Sequence, residues 1–473
     1  MGRHGWNSGA RRWRLTALLG VGAVALALVV TLLTTLPGNG DDTAGTSPDG
    51  DKVHGTPAAT PAASGPEVGW GFTHTQFSAD EGDDAAVARV EKRIADAGGL
   101  PQIQHIMGWG ADNPEPVEGR YDFGAMDRRI DFARASGSTP VVTLCCAPDW
   151  MKGCEPGVDH TNWSQAALET APEPEHFDDY AALAATVAKR YPDVRHFIVW
   201  NEFKGFWNDA EARWDYEGYT RLYNLVYRAL KKVDPDIMVG GPYLVMDSLD
   251  PREEHASPDL KGSWGAMDQR VLDAFAYWNE HKAGADFVVV DGSSYTRDDE
   301  LLPDEFAATD KFTAVGEWVR RETGDDLPLW WAEYYVEPAD GNDEREGWSE
   351  SRRVAVQAAG MIALAKGGAT SAFYWNPENE KGTDCPGCLW TPTSGANGGR
   401  NLPMFDLVSR FNATFPPGTA QQPVTSSADV RVLATDKTAL VVNIRDRQIS
   451  TKVDGRTVKL QAYEVRWLER RAT

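Results

Sequence analysis

From Val68 onward the chain alternates short apolar runs with longer segments whose apolar residues recur every three or four positions. The short runs at residues 70–74, 103–107, 140–144, 197–200, 237–240, 287–290, 329–332 and 371–375 have the length and composition of strands. Between them, Tyr180, Leu183, Ala184, Val187 and Ala188 keep a helical period, as do Tyr219, Leu222, Tyr223, Val226, Tyr227 and Leu230. Each stripe suits a helix lying on a neighbouring strand pair. Val288-Val289-Val290 has no polar face, as expected of a parallel strand buried on both sides. Eight such runs are the count that closes an α/β barrel, the (β/α)8 or TIM barrel. A doubly wound open sheet would use the same alternation, but no glycine-rich phosphate loop follows the first run.

The pattern changes at both ends. Beyond Phe411, residues 430–433, 439–444 and 458–467 read as short strands, separated by turns at Asp436-Lys437, Arg445-Asp446 and Asp454-Gly455. This predicts a small antiparallel β-sandwich module over 412–473, packed on a barrel domain spanning 67–411, with carbohydrate binding as its functional alternative. Residues 15–36 carry no charge, are preceded by Arg3, Arg11, Arg12 and Arg14, and are followed by Asp41 and Asp42. That length crosses a bilayer with the arginines on the cytoplasmic side, so residues 1–36 read as a basic stub and signal-anchor. A cleaved signal peptide is the alternative, although no small-x-small site lies near Pro37. Arg11-Arg12 is a weak hint of twin-arginine export. Residues 37–66, rich in Gly, Pro, Ala, Thr, Ser and Asp, cannot bury enough apolar surface to fold and read as a flexible linker. Both readings of the N-terminus put the barrel outside the cytoplasm.

A hydrophobic content of 42% with 25% charged residues in 473 residues supports a sizeable core. The net charge of −23 argues against a nucleic-acid partner, which needs clustered Lys and Arg. An uncharged or cationic ligand is easier to accommodate.

Trp200-Asn201-Glu202 closes the run that begins at His196, and Glu333 closes Leu329-Trp330-Trp331-Ala332. A carboxylate at the end of a buried strand is unfavourable unless its charge or proton is used there. In a parallel barrel both would open on the face formed by the carboxyl ends of the strands, in one pocket. Two carboxyls about 5 Å apart, one protonated and one ionised, are what retaining cleavage of a glycosidic bond requires.

The ordered segments Trp200-Asn201-Glu202-Phe203, Phe206-Trp207, Asp234-Pro235-Asp236-Ile237 and Gly240-Gly241-Pro242, with the helix containing Tyr219 and Tyr223, closely resemble glycoside hydrolase family 39. Tyr121-Asp122-Phe123 with Asp127, and Pro140-Val141-Val142-Thr143-Leu144 followed by Pro148-Asp149-Trp150, look like the same clan's second and third barrel units. The resemblance implies that Glu202 is the general acid/base, that Glu333 is the nucleophile, and that Asn201 bonds the hydroxyl next to the anomeric carbon. It implies a poly- or oligosaccharide substrate, with β-xylosidase, α-L-arabinofuranosidase or endo-acting exopolysaccharide hydrolase as the activities to expect. A non-catalytic glycan-binding barrel is the competing expectation.

Further residues enter as candidate walls of the pocket. Trp375 resembles the clan's aromatic floor, suited to the C–H face of a pyranose. Tyr295 is placed to hydrogen-bond Glu333, and His74, Trp109 and Trp150 follow the first three strands. Glu337 rivals Glu333, but Pro338 after it suggests a solvated rim charge. Two departures from the family pattern alter the pocket: Gln102-Ile103-Gln104-His105 on the second strand and Asp291-Gly292-Ser293-Ser294-Tyr295 after the sixth. Of the five cysteines, Cys146 with Cys154 and Cys385 with Cys388 are the expected pairs, leaving Cys145 free and buried. No His stands at finger-like spacing for zinc, and Asp340-Gly341-Asn342-Asp343 matches only a fragment of a calcium loop. No metal and no cofactor are expected, and the oligomeric state is not legible.

Overall fold

The computed structural model describes residues 68–324, 327–338, 347–379 and 387–470. The predicted anchor and linker, the Asp340–Asp343 segment and Cys385 lie outside the described residues. Among the described residues, no helix is long and apolar enough to cross a membrane.

Eight parallel strands close into a barrel: β1 (Trp70–Thr73), β2 (Gln102–His105), β3 (Pro140–Leu144), β4 (His196–Val199), β5 (Met238–Val245), β6 (Phe287–Asp291), β7 (Leu329–Trp331) and β8 (Ala369–Trp375). They pair in chain order, and β1 hydrogen-bonds both β2 and β8, with Thr73 opposite Ile103 on one side and Trp375 on the other. The strands are nearly continuous in buried residues because helices cover the outside while side chains fill the inside. Ile103, Val141, Ile198, Val289, Trp330 and Phe373 form that interior plug. Phe287 stacks on Trp330 with 3.9 Å between ring centroids. Burying each such side chain contributes about 1.5–3 kcal/mol.

The covering helices are α1 (Asp84–Asp96), α2 (Gly124–Ala135), α3 (Phe177–Arg190), α4 (Tyr216–Val233), α5 (Gln269–His281), α6 (Asp310–Thr323), α7 (Glu350–Lys366) and α8 (Pro403–Thr414). In α4, Asp215 accepts the Gly218 N–H at 2.9 Å as N-cap, and the stripe Tyr219, Leu222, Tyr223, Val226 and Leu230 is buried, as its spacing predicts. Asp234-Pro235 follows its end, since proline cannot continue the helix.

The C-terminal residues form two small antiparallel sheets. Strands β9 (Val430–Ala434), β10 (Thr438–Asn443) and β13 (Val465–Glu469) make one, and the hairpin β11 (Ile449–Val453) with β12 (Arg456–Leu460) makes the other. They share a core of Val432, Val441, Val453, Val458 and Leu460. The predicted run 458–467 is divided between β12 and β13, and β11 was not read as a strand. The larger sheet packs on α7, which explains why that alanine-rich helix is buried almost all round. Gln421 and Arg431 fasten the contact by donating to the Ala365 carbonyl at 2.6 Å and the Asp310 carboxylate at 3.2 Å.

Candidate active site

A backbone hook sets the end of β4. Trp200, Glu202 and Phe203 all have left-handed φ angles, 66°, 52° and 52°. Such angles are unfavourable for non-glycine residues and persist only where the surroundings enforce them. Here the Trp200 N–H donates to the Leu144 carbonyl at 3.1 Å, and its indole N–H donates to the Lys204 carbonyl at 2.9 Å. Phe203 stacks on Tyr219 at 3.8 Å, and the Tyr219 hydroxyl donates to the Val199 carbonyl at 3.0 Å. The hook leaves Asn201 and Glu202 each 1% exposed.

Glu333 is fixed differently, by extension of the β6–β7 pairing past the strand ends. The Ala332 N–H donates to the Val290 carbonyl at 3.0 Å, the Tyr335 N–H to the Gly292 carbonyl at 3.0 Å, and the Ser294 N–H to the Tyr335 carbonyl at 2.8 Å. Two phenols then clamp the carboxylate: Tyr243 donates to Oε1 at 2.5 Å, and Tyr335 donates to Oε2.

The two glutamates meet. Carboxylate oxygens of Glu202, Glu333 and a third residue, Asp291 at the end of β6, lie within 4.8 Å of one another. The Lys204 ammonium is ion-paired with Glu202 Oε2 and sits 5.3 Å from the centre of the Trp109 ring. Burial and the charge of Glu202 push Glu333 up to about 8, opposed by Lys204 and the two tyrosine hydroxyls. Burial works against the charge of Lys204, but Glu202 and Glu333 outweigh it and hold the ammonium above the ordinary lysine value. Burial, followed by the charge of Glu202, raises Asp291 well above the usual carboxyl range. His105, at the end of β2, is lowered to about 3 by burial and by Lys204, so it is neutral, and neither ring nitrogen has a hydrogen-bond partner among the described residues.

The other predicted residues divide. Asn201 Oδ1 is buried without a partner among the described residues, ready for a hydroxyl donor. Trp375 ends β8, edge-on to His105 at 6.2 Å. Trp109 underlies Lys204 and borders a cleft of about 310 Å³ that also includes Arg129 and Trp163. His74, by contrast, is committed to the barrel: its ring nitrogens bond Gln102 Oε1 at 2.8 Å and Ser78 Oγ at 2.6 Å. Trp150 donates its indole N–H to the Glu115 carbonyl at 3.0 Å and packs edge-on against His176. The hydroxyls on Glu333 come from Tyr243 and Tyr335 where Tyr295 was expected. Glu337 is not a solvated rim charge. Its side chain is 7% exposed and is forked by Arg353 at 2.7 and 2.8 Å.

The cysteine expectation is corrected. Cys145 is bonded to Cys146, with their α-carbons 2.9 Å apart across a cis peptide, and Cys154 is free. The chain places the neighbouring sulfurs together just past the end of β3. Cys388 is also disulfide-bonded.

Lys204, Tyr243, Tyr335 and Asp291 were not assigned roles from sequence. The predicted strand run ends at Gly240, whereas β5 continues to Val245 and carries Tyr243. Among the described residues, the Glu202–Asp291–Glu333 set is the one that could ligate a metal ion, and Lys204 already brings a positive charge to it.

Residues 107–339 match the model for glycosyl hydrolases family 39. A beta-xylosidase of Geobacillus stearothermophilus is 24% identical over 242 residues, which is 45% of this chain and 41% of that protein, so the chain matches less than half of that relative's length. Among solved structures, a monomeric beta-xylosidase from Caulobacter crescentus CB15 superposes with a TM-score of 0.52 at 18% identity, covering 82% of this chain and 76% of that one. A family 39 glycoside hydrolase from Bacteroides cellulosilyticus WH2 gives 0.51 at 16% identity, covering 82% and 77%. At these identities the structural likeness carries the fold, while the sequence match spans β3 to β7 and both glutamates. By that match, residues 107–339 carry the sequence pattern of glycosyl hydrolases family 39.

Proposed function

We propose that this protein is a retaining glycoside hydrolase in which Glu333 is the nucleophile and Glu202 the general acid/base. The observation that carries this reading is the meeting of the two carboxyls, within 4.8 Å, from residues far apart in the chain. That spacing suits direct attack on a sugar carbon; an inverting pair stands about 6.5–9.5 Å apart to admit a water. Two phenolic donors hold Glu333 as an acceptor aimed into the pocket. In the first step Glu333 bonds to the anomeric carbon as the glycosidic C–O bond breaks, and Glu202 gives its proton to the departing oxygen. In the second, Glu202 takes a proton from water, whose oxygen displaces Glu333, so configuration is retained. Asn201 Oδ1 and the neutral His105 supply polar contacts for sugar hydroxyls, and Trp375 supplies an aromatic face.

The beta-xylosidase relative makes xylosides the first substrates to test, with arabinofuranosides and exopolysaccharides next. The arginines before the uncharged residues 15–36 support attachment to a membrane with the barrel outside the cytoplasm. Glu333→Gln is expected to lower turnover at least about a thousandfold while leaving thermal unfolding nearly unchanged. A 2-fluoro-xyloside with an activated leaving group is expected to add covalently to Glu333, read by mass spectrometry of the labelled peptide. No label and no hydrolysis across a broad glycoside panel would favour a glycan-binding barrel without turnover.

A further inference from the structure

Asp291 has no role in the two-step account, yet it lies in the middle of the site. It closes β6, is 1% exposed, and neither of its oxygens has a hydrogen-bond donor among the described residues. One of those oxygens is nevertheless within 4.8 Å of oxygens on both glutamates, and its side chain engages the Glu202 carboxyl. Two carboxyl groups in contact can hydrogen-bond only through a proton that one of them holds, because a carboxylate is an acceptor alone.

The surroundings decide which group holds it. Asp291 is faced by Glu202 and Lys204 from the hook after β4, Tyr243 from β5, Glu333 and Tyr335 from after β7, and Lys311 from α6. Glu202 has the Lys204 ammonium on Oε2, which favours its anion. Glu333 accepts a phenol on each oxygen, and these donors with Lys204 oppose the rise that burial and the charge of Glu202 impose on it. Asp291 has neither kind of partner. Three buried carboxylates around the Lys204 ammonium would leave two uncompensated negative charges, and a proton that relieves one of them belongs on the group with no donor.

We propose that Asp291 stores the proton that Glu202 delivers to the leaving group, and is thereby a positioning residue for the reaction. The inference rests on the retaining-hydrolase reading above. In glycosylation the proton passes from the Asp291 carboxyl to the Glu202 carboxylate and on to the departing oxygen, leaving Asp291 anionic. In deglycosylation Glu202 takes a proton from the attacking water and returns it to Asp291. Lys311 stands ready for the anionic interval: it is fully buried, its Nζ has no hydrogen-bond partner among the described residues, and Asp291 is one of the charges it feels.

The test joins a spectroscopic and a kinetic measurement on the full chain. In heavy water at neutral pH, infrared spectra of the unliganded protein are expected to show a protonated-carboxyl stretch. One component of that stretch persists in Glu333→Gln and is lost in Asp291→Asn. This readout needs no substrate, so it separates failure of the storage role from failure of the retaining reading. With aryl β-D-xylosides, Asp291→Asn is expected to lose at least tenfold more kcat/KM on a 4-methoxyphenyl than on a 2,4-dinitrophenyl leaving group, which needs no acid. The alkaline limb of its pH profile should also move. Absence of the stretch in the wild-type protein, survival of that component in Asp291→Asn, or an equal loss on both leaving groups with an unmoved pH profile would each overturn the proposal. Should Asp291→Asn not fold, Asp291→Ser takes its place in both measurements.

Discussion

Two buried lysine–carboxylate pairs stand just past neighbouring strands of the barrel, and they have opposite designs. After β3, Lys152 pairs with Asp149 at 3.0 Å, with both side chains at most 1% exposed. Lys152 also donates to the Ala167 carbonyl at 2.7 Å, and Asp149 Oδ2 accepts the Asn162 N–H at 2.5 Å. That pair has one cation, one anion and backbone partners from the loop it anchors. After β4, Lys204 pairs with Glu202 amid two further carboxyls, an imidazole with no hydrogen-bond partner among the described residues and the face of Trp109. The first arrangement is closed by fixed partners on both members. The second has more acceptors than protons, so a proton has several places to reside, and that freedom is what acid/base chemistry uses.

Changing the second pair should therefore alter chemistry before stability. Glu202→Gln is expected to reduce kcat on a poor leaving group about 10²–10⁴-fold, the range of a lost general acid/base. Glutamine keeps the shape and can still accept from Lys204. Added azide, which needs no base to attack the glycosyl-enzyme, should restore turnover of an activated aryl glycoside as glycosyl azide. Failure of azide to rescue would take the acid/base role away from Glu202.

How much of this was visible beforehand depends on whether a residue's role is local or assembled. The strand runs and the placement of Glu202 and Glu333 were legible because buried parallel strands must be apolar and a carboxylate at their end stands out. Tyr243 was not, because Gly240-Gly241-Pro242 has the composition of a terminator. In the fold the two glycines are there to admit neighbours: a Cβ on Gly240 would fall 2.1 Å from the Phe287 ring, and one on Gly241 2.6 Å from Tyr223. The strand therefore runs on to Val245 and carries Tyr243 to Glu333. His74 misled for the converse reason. Its position at a strand end was read correctly, but one ring nitrogen is satisfied by Gln102 from the neighbouring strand β2, whose approach no spacing announces, and the other by Ser78 four residues on. The Arg353–Glu337 pair was likewise settled by tertiary approach, whereas the Cys145–Cys146 bond joins adjacent residues and is purely local.

Lys152→Met tests the other side of the comparison. Removing one partner leaves Asp149 buried and unpaired, and the expected loss is about 3–5 kcal/mol of unfolding free energy, measured by denaturant titration. At a temperature where the variant is still folded, its kcat/KM should stay within about threefold of wild type, because the pair anchors a loop and handles no proton. A large kinetic defect with unaltered stability would erase the distinction drawn between the two pairs.

Lys204→Met gives the smallest and most diagnostic change. The ammonium lowers the proton affinity of Glu333 and, by direct pairing, favours the anion of Glu202. The acid limb of kcat/KM reports loss of the ionised nucleophile, and the alkaline limb reports loss of the proton on the acid. With the positive charge gone, both groups hold protons more tightly, so both limbs should move toward alkaline pH by about one unit or more. A structural lysine would instead scale the whole profile down and leave its shape unchanged. Movement of one limb with the other unmoved would mean that Lys204 acts on one glutamate alone, and the shared-charge account of the site would have to be replaced by two independent titrations.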